Sequence, residues 1–179
     1  VSLHTALVNM SSSACFMYFA YGSNLLKERL QLKNPSAVFH CVGRIQTRTP
    51  PQGPQVREFL IGQETLSGIT GLSGNCTDCA WHGGVATIQE SDGDEEQVHE
   101  GVYSALQVEV ETKQGNVFCR TYKMNNFRAC PPSPQYKEVV CSGAQQNGLP
   151  QNYRQKLLDL ETNNYSGTSI LDQIKDLQK

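Results

Sequence analysis

Cys15-Phe16-Met17-Tyr18-Phe19-Ala20-Tyr21-Gly22-Ser23-Asn24-Leu25-Leu26 is the stretch on which the reading of this chain turns. Its first seven residues are apolar and aromatic, too short a run for most helices, and read as a buried β-strand. Gly22-Ser23-Asn24 ends the strand. Leu25, Leu26, Arg29, Leu30 and Leu32 follow at helical spacing, and Asn34-Pro35 stops the helix. A strand that runs through Gly-Ser-Asn into a helix presents backbone N–H groups at the helix start. Such donors bind a carboxylate or stabilise an oxyanion. Gly22, lacking a Cβ, lets a ligand approach the backbone. An ordinary strand-to-helix turn capped by Ser or Asn has the same local sequence.

Outward from this stretch, Val38 to Gln46 and Gly83 to Ile88 read as strands. Val102 to Val110 alternates, Gln114-Gly115-Asn116 turns the chain, and Val117 to Tyr122 returns as a hairpin. Ser133-Pro134 starts a helix with Ser as N-cap and Pro at the first helical position, and Asn147-Gly148 stops it. A second helix follows Leu149-Pro150, with Tyr153, Leu157 and Leu160 on one face. Ile170, Leu171, Ile174 and Leu177 predict a short amphipathic helix or frayed tail. Residues 47–80 hold Pro50, Pro51, Pro54, five glycines and seven Ser/Thr without a period. They read as a long loop or disordered insert.

The 179 residues suit a single domain over 14–179, with 1–13 a disordered or non-native leader. A net charge of −2 and the lack of any Lys/Arg cluster exclude an electrostatic nucleic-acid binder or an anionic-membrane binder. The longest apolar run is far short of a membrane span. The 15 Gly and 8 Pro, with only 18% charged residues, predict a loop-rich, β-containing chain rather than a helical bundle. Seven cysteines, an odd and scattered set, suit reduced thiols in a cytoplasmic protein better than a disulfide framework. Cys76-x-x-Cys79 with His82 lacks a second half and a βαβ context, and reads as incidental rather than as a zinc or redox site.

Five blocks in order carry a resemblance. They are Tyr18-Phe19-Ala20-Tyr21-Gly22-Ser23-Asn24-Leu25-Leu26 and Asn34-Pro35-Ser36-Ala37, then Trp81-His82-Gly83-Gly84-Val85-Ala86-Thr87-Ile88. The last two are Pro131-Pro132-Ser133-Pro134-Gln135-Tyr136 and Gly143-Ala144 through Asn147-Gly148-Leu149-Pro150. Together they closely resemble the γ-glutamylcyclotransferase family over about Phe16 to Lys179. The resemblance implies an α+β fold, a small β-barrel with surrounding helices. It implies a cofactor-free, metal-free enzyme, with a small γ-glutamyl amino acid as substrate and a homodimeric state. In the implied reaction the free α-amino group of the γ-glutamyl residue attacks its own γ-amide carbonyl. The products are 5-oxoproline and a free amino acid. A carboxylate base must take the ammonium proton and return one to the leaving amine. Carried over by position, Tyr18, Phe19, Ala20, Tyr21, Gly22 and Ser23 form the substrate cradle, and Tyr136 contacts the substrate from the opposite side. Glu96, seven residues before Tyr103, matches the catalytic base, with Glu95 the neighbour most easily confused with it.

The chain departs from the family twice. Gly93-Asp94-Glu95 meets Glu96 directly, where the family has a strand and a helix between them. Residues 47–80 share nothing with the family text at that place. These abruptly bounded blocks read as a splice-variant or gene-model form. Losing a strand predicts a barrel with unpaired edges, possibly incomplete. The second reading is therefore a catalytically inactive variant that keeps only ligand or partner binding.

Overall fold

The computed structural model describes residues 14–46, 80–92, 101, 103–125 and 131–177. The expected leader at 1–13 and all of the 47–80 insert except Ala80 lie outside the described residues. The elements are β1 (Cys15–Ala20), a 3₁₀ turn (Ser23–Leu25), α1 (Lys27–Gln31), β2 (Val38–Gln46), β3 (Ala80–Gln89), a second 3₁₀ turn (Glu90–Asp92), β4 (Tyr103–Thr112), β5 (Gly115–Met124), α2 (Pro134–Gln146), α3 (Gln151–Leu158) and α4 (Ile170–Leu177). β3 begins three residues before the sequence text suggests, at the last residue of the expected insert. The hairpin strands are longer than the alternation alone gives. Their turn is Lys113-Gln114, because Thr112 pairs with Gly115.

The strands close in a ring, in the order β1-β3-β2-β4-β5. The open barrel that the missing block predicts is therefore not what forms. β1 pairs antiparallel with β3 over six positions, and β3 with β2 over eight. The β4–β5 hairpin then spans the gap and meets each flank through a short seam. At one seam, Gly43 and Arg44 of β2 pair with Thr112 and Glu111 of β4. At the other, Tyr18 pairs with Arg120 in the single parallel contact. Both seams carry an arginine fork. Arg44 Nε and Nη2 donate to Glu111 at 3.1 and 2.8 Å. Arg120 donates twice to Glu90, at 3.2 and 2.9 Å, while lying 3.7 Å over the Phe16 ring. A buried hydroxyl reinforces the second seam, with Thr121 Oγ1 donating to the Phe19 carbonyl at 2.9 Å. One extra residue, His40, interrupts the β2–β3 register between Phe39 and Cys41. This is a β-bulge, of the kind that bends a strand where a barrel curves.

Alternation along β1 feeds two cores. Met17, Phe19 and Tyr21 face the barrel interior with Cys41, Val85, Val110 and Cys119. Phe16, Tyr18 and Ala20 face outward, under Leu30 of α1, with Ala37, Ala86 and Ile88. A third cluster packs Leu25 against α2 and α3 through Val140, Ala144, Leu149, Tyr153 and Leu157. The ends of α2 match the sequence expectation. Ser133 Oγ accepts from the Tyr136 N–H at 3.1 Å, and Gly148 leaves the helix at φ +67°.

Two expected outcomes follow from this packing. A Cβ at Gly143 would meet the Leu26 nitrogen and, at 2.5 Å, the Leu25 carbonyl carbon. Both are backbone, so Gly143→Ala should lower stability by about 1–3 kcal/mol in a denaturant melt. An unchanged midpoint would mean that α2 can back away. The second concerns His82, whose ring packs edge-on to Tyr153 at 5.0 Å. Burial, aided by the Arg44 and Lys156 charges, lowers its pKa from the ordinary value. Its stabilising term is thus fully present above about pH 6.5 and is lost as pH falls from there through the lowered folded value. His82→Phe should remove that part of the pH dependence of the melting temperature. A curve of unchanged shape below pH 6.5 would refute the assignment.

Candidate active site

The site is built where β1 ends. Leu25 N–H donates to the Gly22 carbonyl at 2.9 Å, and Leu26 N–H to that of Ser23 at 3.2 Å. The expected single helix over Leu25–Leu32 is therefore two pieces, a 3₁₀ turn and then α1, separated by Leu26 with an extended ψ of 117°. The break lets Leu25, Leu26 and Leu30 enter three different apolar clusters. Helix α2 clamps this turn. Asn147 Nδ2 donates to the Leu25 carbonyl at 2.6 Å and to the Gly143 carbonyl at 2.8 Å. Gln146 Oε1 accepts from the Lys27 N–H at 2.9 Å.

The cradle residues have distinct positions. Phe19 and Ala20 are fully buried, backbone included, so they pack beneath the turn and present no atom to a ligand there. Tyr18 is buried too, and its hydroxyl accepts from Asn24 Nδ2 at 3.0 Å. Tyr21 donates its hydroxyl proton to the Tyr122 carbonyl at 2.7 Å. Gly22 and Ser23 are half-buried. Tyr136 reaches over them from α2, and its hydroxyl lies 2.9 Å from where a Gly22 Cβ would stand. The residue is 38% exposed, yet its hydroxyl end is sheltered. Burial, with the Tyr21 and Tyr103 phenols nearby, pushes its pKa up to about 12 against the opposing pull of the Ser23 N–H and the Arg29 charge. The phenol therefore stays protonated across the biological pH range and can donate. Glu96 and Glu95 lie outside the described residues, as do Cys76 and Cys79.

Two residues that act electrostatically on the Tyr136 hydroxyl were not among the sequence candidates. Tyr103 opens β4, seven residues beyond Glu96, and Arg29 stands on α1. Their field at the Tyr136 oxygen brings them to this site. Only the Glu96–Tyr103 spacing hinted at the first, and nothing in the local sequence marked the second. Among the described residues, no helix is long and apolar enough to cross a membrane.

Residues 86–157 match the model of the AIG2-like family. The chain is 41% identical to the γ-glutamylcyclotransferase of Mus musculus over 184 aligned positions, covering 92% of this chain and 88% of the relative. Identity to the Homo sapiens γ-glutamylcyclotransferase is 40% over the same shares. A solved structure of a γ-glutamyl cyclotransferase superposes with a TM-score of 0.66 at 36% identity, covering 91% of this chain and 99% of that one. A fold with the same ring and helices, and identity of this depth along nearly the whole length, place the chain in the γ-glutamylcyclotransferase family.

Proposed function

We propose that this chain cyclises γ-glutamyl amino acids to 5-oxoproline and releases the free amino acid. The observation that carries the reading is the turn itself, where the Ser23 N–H points at the protonated Tyr136 hydroxyl beside the bare backbone of Gly22, so that a substrate oxygen placed between them would meet two donors. Together they suit an oxygen that gains negative charge, as the γ-carbonyl does when the α-amino group adds to it. The substrate folds so that its amine reaches its own carbonyl, and much of the acceleration comes from that proximity. Glu96 takes the ammonium proton as general base and returns it to the leaving amine as general acid. No metal or organic cofactor enters these steps. We read the protein as cytoplasmic, which the free thiols of Cys41, Cys119 and Cys141 support. We also read it as a homodimer by family resemblance.

A second reading keeps the cradle but not the chemistry. The direct junction of Glu95 and Glu96 removes the helix that would aim the base, which favours an inactive variant that still binds 5-oxoproline.

Release of 5-oxoproline from γ-glutamyl-alanine tests the two. The chain should turn over, and Glu96→Gln should lose at least about 100-fold in kcat, as expected when a general base is removed. A folded chain that binds 5-oxoproline without turnover supports the inactive variant instead. The cradle has its own test in Gly22→Ala. The new methyl meets the far end of the Tyr136 side chain, which can swing aside, so stability should stay within about 1 kcal/mol of the parent. Affinity for 5-oxoproline should nevertheless fall by about tenfold or more, as one donor leaves the turn. Unchanged affinity by calorimetry would remove the turn from the site.

A further inference from the structure

Tyr136 is the third residue of α2 and so lies in its first turn. The N–H groups of a first turn have no partner inside the helix, and helix ends fray. The Tyr136 N–H is met instead by the Ser133 hydroxyl at 3.1 Å. The contacts that clamp α2 to the cradle turn are at Gly143 and Asn147, further along the helix. They fix its middle and its far end, not the turn that carries the phenol.

A strap holds that first turn. Residues 159–169, between α3 and α4, form neither helix nor strand, yet hydrogen bonds tie them to the start of α2. Pro131 and Pro132 have no N–H, so their backbone can be tied only through the carbonyls, and Asn163 takes both. Its N–H donates to the Pro132 carbonyl at 2.9 Å and its Nδ2 to the Pro131 carbonyl at 3.0 Å. Its Oδ1 accepts from the Tyr165 N–H at 2.9 Å. The residues on either side of Tyr136 are held by the same strap. Gln135 Nε2 donates to the Tyr165 and Gly167 carbonyls at 3.3 and 3.0 Å, and Lys137 Nζ to the Leu160 carbonyl at 2.7 Å. Beyond the strap, Ile174 of α4 is buried with Leu26 and Val139. The segment therefore joins the start of α2 to the turn that Tyr136 overhangs. Asn163 itself is exposed and adds no packing to a core. Its side chain serves only to hold the chain ahead of Tyr136 and to shape the strap that does so.

We propose that Asn163 is a positioning residue, which holds the first turn of α2 so that the Tyr136 hydroxyl stays over Gly22. Its effect on turnover rests on the cyclotransferase reading. The test is a double-mutant cycle of Asn163→Ala with Tyr136→Phe on γ-glutamyl-alanine. Because a small misplacement of a catalytic donor is expensive, Asn163→Ala should lower kcat by about 10- to 100-fold with KM much less changed. On the Tyr136→Phe background the same substitution should cost less than about twofold, since the group it positions has gone. Any change in melting temperature should be the same on both backgrounds. An unchanged kcat overturns the proposal, and so does an equal loss on both backgrounds, because Asn163 would then act on something other than the phenol. A parent that binds 5-oxoproline without turnover removes the enzyme reading alone. The same cycle on 5-oxoproline affinity then decides for Asn163, with coupling in support and additivity against. A folded parent that neither binds nor turns over removes the cyclotransferase reading, and a spectroscopic signature decides instead. With carbon-13-labelled tyrosine, the Tyr136 Cζ line is assigned by its loss in Tyr136→Phe. Its movement towards the exposed-tyrosine position in Asn163→Ala supports the positioning role, and an unmoved line overturns it.

Discussion

Everything in the site depends on the approach of one helix backbone to one turn. At Gly143 α2 lies against the main chain of Leu25 and Leu26 with no side chain between them. One turn further, Asn147 ties the Leu25 carbonyl to the helix's own Gly143 carbonyl through a single amide. Contacts between backbones cannot be adjusted by changing rotamers, so the turn is fixed to within the rigidity of the helix. The fixed turn sets where the Ser23 N–H points, and it starts α1 at the angle that buries Leu30 against β1.

The ring is the second constraint, and it closes with few paired positions at two of its joints. β1, β3 and β2 share long antiparallel ladders, while the β4–β5 hairpin is held to its flanks by three register positions in all. Ladder hydrogen bonds so few would leave much strand edge without support. Side chains take up the work there. The Arg44 fork joins β2 to β4, while the Thr121 hydroxyl and the Arg120 guanidinium over Phe16 join β5 to β1, strands that the ladder barely joins. Inside, Gly43 has no side chain, so the Val110 side chain fills the space next to Val85 that a Cβ would have taken. Closure therefore depends on particular residues at the seams more than on strand number.

Much of this was legible in the sequence, and the remainder was hidden for physical reasons. The aromatic run before Gly22, the Ser133-Pro134 cap and the Gly148 stop are local signals, and each sits where the sequence puts it. The break at Leu26 is not local. Leu25, Leu26 and Leu30 keep helical spacing, but tertiary packing draws them to three separate clusters. The His40 bulge is equally silent, because one extra residue shifts which positions of β2 face inward without altering its composition. In the site, Gly22, Ser23 and Tyr136 came from motif text. Phe19 and Ala20, next to each other on β1, enter opposite cores, and their complete burial makes them supports of the turn rather than ligand contacts. Tyr103 and Arg29 carry no motif of their own and enter only through their electrostatic effect on the Tyr136 hydroxyl.

The geometry of α2 explains why the phenol and the turn keep their relation. Tyr136, Val140, Gly143 and Asn147 fall at spacings of four, three and four, along one face of the helix. That face brings the phenol over Gly22 and also locks the turn at Leu25. A shift of α2 would move the donor and the turn together, so their relation survives small changes in helix position. The parts that hold the cradle are β1, the turn, α1, α2 and the Gly83 backbone, where Phe19 Cζ would stand 2.6 Å from a Cβ. All of them lie within residues 14–46, 80–92 and 131–177. The contact of the Tyr136 hydroxyl with the Gly22 turn is therefore built entirely from β1, the turn, α1, α2 and β3.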